Sequence, residues 1–403
     1  MFEAKGKYNN AIIYSDRYDE TAYSQLISFC NLKTFEGSRI RVMPDYHAGT
    51  GCVIGFTASG IENLIPNIVG VDIGCGVVAI KFANSSDQIN LEKLDNFIRD
   101  YIPSGFNVST KRNRDVSDML KQLTCYQNLS EIQHLEKSLG SLGGGNHFIE
   151  VDVDKEGNKY LVVHTGSRNI GKQVATIHQK IAEHYQGGIK DIIQDKIKTI
   201  EPIYREQWLK EFKEANKVPK GLEHLTGQLL NNYKHDMLIC QEFASMNRWE
   251  IINSILGYIG VETINHVDFK GRIYIESVHN YYDFQDHVIR KGAIAANENQ
   301  PCIIPMNMKD GSLICIGKGN KEWNYSAPHG AGRLMSRSQA KESITLEEFQ
   351  QSMQGIFTTS VNTGTIDESP MAYKPMDEIV KQIEDTVYIT DILKPIYNFK
   401  ASV

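Results

Sequence analysis

Long apolar runs are missing from this 403-residue chain. None reaches the ~18 residues a bilayer-spanning helix needs, which excludes a helical membrane protein. The opening segment MFEAKGKYNN lacks the apolar core of a secretion signal. A soluble, cytoplasmic protein with no membrane partner is the expectation. Paired cysteines are missing too. Seven cysteines (Cys30, Cys52, Cys75, Cys125, Cys240, Cys302 and Cys315) are scattered, and no two form a CxxC pair. That excludes a disulfide framework and a zinc ribbon, and most of the seven read as small buried hydrophobes. Positive charge is in short supply. The formal net charge is −6, whereas nucleic-acid-binding domains are usually basic. If nucleic acid binds, it binds at a local basic patch, helped by bound metal. Repeats of fixed period, low-complexity tracts and Pro/Gly/Ser linkers are also absent.

What remains is a composition of 41% hydrophobic and 23% charged residues, that of a packed globular protein. Residues 38–82 read as short β-rich runs broken by glycine. Residues 90–101 have helical apolar spacing, with Pro103 as a stop. Residues 159–164 (KYLVVH) read as a strand ending on His164, and residues 172–186 as an amphipathic helix. The span 187–222 is charged and weakly patterned and reads as an insertion or mobile segment. Residues 228–257 form the longest helical candidate. Strand signals return at 272–278 and 302–316, and helical ones at 346–355 and 376–386. Strands and helices do not alternate strictly, which disfavours a parallel doubly wound sheet. The expected architecture is α+β: a single compact domain over 1–403, with mixed β-sheets and surrounding helices.

The placement of glycine is more informative than its amount. Five glycine-rich turns each carry a ligand-type residue: DYHAGTG (45–51), GVDIGCG (70–76), GGGNHFIE (143–150), HTGSR (164–168) and HGAGR (329–333). Glycine lets the backbone approach a ligand closely, so side chains on such turns can converge on one point. Asp72 and Cys75 stand three apart, and a thiolate can bridge two cations. His147 and His164 lie beside strand ends, and His279 follows RIYIESV. A mixed Asp/Cys/His set suits a transition metal better than magnesium or calcium. For His178, His184, His224, His235, His266 and His287 a hydrogen-bonded structural role is the better reading. A lone Cys75 would read as a buried thiol, but Asp72 and the surrounding glycines favour a metal ligand. GGGNHF offers backbone N–H groups to an anion, although no GK[ST] follows to make a Walker A loop. His329, with Arg333 and Arg337 close behind, could attack phosphorus, ligate metal or act as a base, and spacing does not separate these roles.

Taken in order, MPDYHAGTG, VGVDIGCG, GGGNHFIE, HTGSRNIG, VHNYY, RKGAIAA, APHGAGRLMSR and PMAYK resemble the signature segments of the RtcB RNA ligases, from about Met43 to the C-terminus. The resemblance implies a ligase using two manganese ions and GTP. It would join RNA 3′-phosphate or 2′,3′-cyclic phosphate ends to 5′-hydroxyl ends, in RNA repair or tRNA splicing. Cys75 corresponds to the bridging thiolate, Asp72 and His147 to further ligands of one ion, and His164 and His279 to ligands of the other. His329 corresponds to the nucleophile that carries GMP. Asn146, His147, Phe148, Glu150, Asn307, Ser312, Gly330, Ala331, Gly332, Tyr373 and Lys400 match positions around the guanylate. Arg168, Arg333 and Arg337 match positions that hold phosphates or RNA, and Asp45 and His47 match a motif near the metal. An archease-type activator is a family partner. The sequence departs from the family at Met306-Asn307-Met308-Lys309, where members often have Gly-Ser-Met-Gly. The competing reading is a manganese-dependent phosphodiesterase or phosphatase acting on nucleic-acid ends, which the metal ligands alone would serve.

Overall fold

The computed structural model describes residues 1–83, 89–185, 188–261 and 274–401; His266 lies outside them. Two large sheets and one small one organise the chain. The first sheet holds β1 (Phe2–Lys5), β2 (Asn10–Ile13), β3 (Arg39–His47) and β4 (Ile54–Ser59). The strands that follow in the chain are β5 (Gly76–Ala83), β6 (Phe148–Val153), β7 (Lys159–Thr165), β8 (Tyr274–Val278), β9 (Asn280–Asp283) and β10 (Val288–Lys291). The last five are β11 (Ala293–Ala295), β12 (Pro301–Asn307), β13 (Gly311–Gly317), β14 (Ser326–Pro328) and β15 (Val387–Lys400). The first sheet has the order β1-β2-β3-β4-β10-β9, the second β12-β13-β15-β6-β7-β5-β8, and β11 pairs with β14. Only β2–β3 is parallel among the named pairs, so the architecture is α+β with mixed sheets.

The centre of the second sheet, β5, β6 and β7, is buried on both faces, and its sequences say why. In β5, Val78 and Ile80 join Ile149, Val151, Leu161 and Val163 in one apolar cluster, while Val77 and Ala79 join Phe148, Val162 and Ile275 in another. A strand with both faces covered reads as a continuous apolar run rather than an alternation. Each such side chain contributes about 1.5–3 kcal/mol on burial, so the ends of these strands are firmly held. The covering element is the helix Gly227–Tyr258. Its first half packs Leu230, Tyr233, Met237 and Phe243 into the core beneath the first sheet. Its second half packs Trp249, Ile252 and Leu256 onto the second sheet.

The segment 187–222, weakly patterned in sequence, contains the helices Ile189–Thr199 and Arg205–Ala215. The first buries none of its residues, and a helix without a buried face leaves little apolar periodicity to read. Among the described residues no helix is long and apolar enough to cross a membrane.

Candidate active site

The glycine turns converge where strand ends of the second sheet meet the long helix. Two polar residues of that helix hold the turns at 70–76 and 164–168 and the stretch leading into 143–150. Arg248, fully buried, donates to Gly74 O (2.9 Å) and Thr165 O (2.8 Å) and pairs with Glu276 (2.7 Å). Asn247 accepts from Gly140 N (2.7 Å) and Ser141 N (3.1 Å) and donates to Gly166 O (3.2 Å). Glycine is required at 166, where a Cβ would overlap the Asp72 carboxylate. It is required again at 332, where φ is +76° and a Cβ would overlap Asp45 O.

Cys75 Sγ stands 3.4 Å from His147 Nε2 and 3.2 Å from His164 Nε2. His164 Nε2 is 3.3 Å from His279 Nε2, and His147 Nε2 is 3.1 Å from Asp72 Oδ2. Metal–nitrogen bonds of ~2.0–2.1 Å and metal–sulfur bonds of ~2.3 Å place ligand atoms of one ion roughly 3.3 Å apart, which is the spacing found here. The outer nitrogens settle the tautomers: His147 Nδ1 faces Leu142 O (2.9 Å) and His164 Nδ1 faces Asn146 O (3.2 Å). A carbonyl only accepts, so Nδ1 carries the proton and both Nε2 lone pairs point at the sulfur. The one thiol proton can meet only one of those lone pairs, whereas a cation among the donors meets all of them, so this donor set fits a transition metal.

Charge agrees. Burial, followed by the neighbouring imidazole charges, holds His164 and His279 well below the ordinary histidine range, in the neutral form that ligates. Burial works to raise Asp72, and its polar neighbours, His147 first and then Cys75 and His164, outweigh that and bring it down to about 2. Burial and then Asp72 push the Cys75 thiol well up. A bound cation would reverse this and favour the thiolate.

His329 lies next to this group, its ring 4.8 Å from that of His279. Its Nδ1 is 2.7 Å from Asp45 Oδ2, which also accepts its backbone N–H at 3.2 Å. Asp45 is fully buried within the irregular stretch of β3. Lys374 fixes that stretch by donating to Pro44 O and Tyr46 O, both at 2.8 Å, on either side of Asp45. His47 Nδ1 turns to Asp45 O (2.9 Å), and burial pushes it down to about 4.

A cleft of about 860 Å³ opens on the His329 side. Of the residues expected around a nucleotide, Asn146, Phe148, Glu150, Asn307, Gly330, Ala331, Gly332, Tyr373 and Lys400 line it, with His47, Arg333 and Arg337. His147 lies at the metal group. Ser312 is not brought to the cleft: it is fully buried on β13, its hydroxyl unpartnered. Asn307 spends its side chain on its own turn, accepting from Lys309 N and Asp310 N (both 2.9 Å) and donating to Asp310 Oδ2 (2.8 Å). Burial raises Glu150 to about 7 against the opposing Lys400 charge and Asn398 hydrogen bond.

A second cleft, about 910 Å³, opens on the Asp72 and His147 side and contains Arg168. Asn146, Arg337 and Glu368 line both clefts. Glu368 is a hub that pattern reading passed over. It accepts from Tyr373 Oη (2.6 Å), Arg337 (2.6 Å), Lys400 Nζ (3.1 Å) and Arg333 (3.4 Å). Burial works to raise it, and these partners carry it down to about 2. Its only sequence signal is adjacency to PMAYK. Asn247 and Arg248 were missed as well, and a polar pair inside a long apolar helix was the available clue.

The pattern of the family "tRNA-splicing ligase RtcB" matches residues 25–133 and 123–401. The RNA-splicing ligase RtcB of Escherichia coli K12 is 31% identical over 93% of this chain and 93% of its own length. The tRNA-splicing ligase RtcB of Aeropyrum pernix is 27% identical over 92% of this chain and 90% of its own. That of Nanoarchaeum equitans is 27% identical over 84% and 83%. All five ligand-bearing turns fall inside the matched residues, and the chain belongs to the RtcB family.

Proposed function

We propose that this protein is an RNA ligase that uses GTP and manganese to join RNA 3′-phosphate or 2′,3′-cyclic phosphate ends to 5′-hydroxyl ends. The observation that carries this reading is His329. Its Nδ1 is held by buried Asp45, which leaves Nε2 free in a cleft that borders the Cys75–His164–His279 group.

Two manganese ions would be held by Asp72, Cys75, His147, His164 and His279, and would supply charge neutralisation and Lewis acidity at the reacting phosphates. His329 Nε2 attacks the α-phosphorus of GTP, forming an N–P bond as pyrophosphate leaves. Asp45 keeps the Nδ1 proton in place and stabilises the charge that develops on the ring. An oxygen of the RNA 3′-phosphate then takes the GMP from His329. Attack by the RNA 5′-hydroxyl on the activated 3′-phosphorus expels GMP and closes the strand. Glu150, Tyr373 and Lys400 would read the guanine edge, with Phe148 against the base and Arg168, Arg333 and Arg337 near phosphates. An archease-type protein would be the activator. A hydrolase acting on nucleic-acid ends needs the metal group alone and gives no reason for the nucleotide-sized cleft on the His329 side.

Incubation with radiolabelled GTP and manganese tests the reading. Wild type is expected to acquire an acid-labile, base-stable label. Hydrolysis of phosphodiesters without labelling would favour the hydrolase.

A further inference from the structure

The second cleft contains a side chain that folding does not explain. Phe106 is 85% exposed, the highest value among the exposed large hydrophobics of the described residues. An exposed aromatic on a loose loop would mean little, but this loop is pinned. Gly105 N donates to Gly143 O (2.8 Å), Leu142 N to Pro103 O (2.8 Å) and Ser109 N to Lys137 O (3.2 Å). Arg168 Nη2 donates to Gly105 O (2.8 Å). The backbone that carries the ring is therefore tied to the glycine turn that presents His147, and Phe106 lines the cleft onto which Asp72 and His147 open.

The cations of the same cleft divide into two sets. Arg337 and Lys341 are engaged by Asp367, at 2.6 and 3.6 Å. Arg168 and Lys172, one turn apart at the start of the helix Arg168–Tyr185, form no ion pair among the described residues. Arg168 spends its donors on Ser141 Oγ (3.0 Å) and Gly105 O, and Lys172 is exposed. An aromatic face on an anchored loop, with an ammonium in the same cleft, is how proteins hold unpaired nucleotides. Every base has a π-face to stack, and the cation follows the phosphates.

We infer that this cleft seats unpaired RNA next to the joint, with Phe106 stacking a base and Lys172 meeting a backbone phosphate. The inference rests on the ligase reading and adds a recognition element to it. Phe106 is a positioning residue: it orders the strand whose end reaches the metal group, and it has no part in loading His329.

The test uses full-length protein and fluorescent single-stranded oligonucleotides. One ends in a 3′-phosphate and one in a 5′-hydroxyl, and each is also made with abasic units at its end; whichever loses affinity identifies the strand seated. Phe106→Ala is expected to weaken binding of an intact oligonucleotide about tenfold, in the range of one stacked base. It should not weaken the abasic form further. Phe106→Trp should retain affinity, and Ile203→Ala, a control 80% exposed outside both clefts, should leave it unchanged. Lys172→Met should lower the slope of log affinity against log salt by about one. Labelling with GTP should be normal in the Phe106 variants. Wild-type affinity in Phe106→Ala, the same loss on abasic oligonucleotides, or an unchanged salt slope in Lys172→Met would each overturn the inference. Failure of wild type to label would instead sink the ligase reading and leave the binding comparison standing.

Discussion

Among the described residues stand two groups built from cysteine, histidine and aspartate, and ligand type alone does not tell them apart. Cys75, His147 and His164 form one; Cys125, His178 and Asp236 form the other, and both are buried. In the first, each imidazole is anchored through Nδ1, the sulfur stands 3.2–3.4 Å from the two Nε2 atoms, and the group lies beside an open cleft. In the second, His178 Nε2 is 2.8 Å from Asp236 Oδ2, with no room for an ion between them. The Asp236 oxygens also accept from Thr124 N (2.7 Å) and Thr124 Oγ1 (2.8 Å). Lone pairs left over make a metal site; lone pairs already used make a strut. The second group ties residues 124–125 and the helix Arg168–Tyr185 to the long helix.

The largest expected effect breaks the first group. Cys75→Ala should lose manganese binding, measured by equilibrium dialysis, and RNA joining to below detection. Full activity in that variant would refute the bridging role. Next, His329→Ala should abolish guanylylation and spare most metal, since the donors lie elsewhere. Third, Asp45→Asn should slow guanylylation by ~10²–10⁴-fold, the scale seen when a catalytic histidine loses the carboxylate that sets its tautomer.

The last and smallest effect belongs to the strut. Asp236→Asn should cost about 1–3 kcal/mol in urea unfolding, the penalty for an unsatisfied buried partner, with metal content unchanged. Its pH dependence has a definite sign. Burial works to raise Asp236, and the hydrogen bonds from His178 and Thr124 outweigh it, so the folded carboxyl titrates below its ordinary value. Such a group gives stability that is fully present above ~3.9 and is lost as pH falls through the lower folded value. The Asn variant should therefore lose less stability on acidification than wild type. If it instead loses metal, the two groups are not independent.

Much of the site was legible because chemistry fixes residue type. Only certain side chains ligate a metal or attack phosphorus, and their glycine-rich settings stood out. The long helix and β7 were legible because their apolar patterns are long. Residues acting through position were not: Asn247, Arg248 and Glu368 do nothing unusual until folding brings their partners to them. The strands β1 and β2, four residues each, are too short to show an alternation. Strand β15 escaped for another reason. Asp391 and Pro395 interrupt its pattern, and a register shift between Pro395 and Tyr397 moves the alternation from one face to the other.

That strand also sets a timetable for assembly. β15 lies inside the second sheet, between β13 and β6, and brings Asn398 against Glu150, 248 positions earlier. A ribosome delivers residues 148–153 long before 387–400, so β6 must wait with one side unpaired and Glu150 without its amide partner. Contacts so far apart in sequence are slow to form. A nascent chain halted before residue 387 would contain every proposed metal ligand and His329, yet lack the strand that bears Lys400.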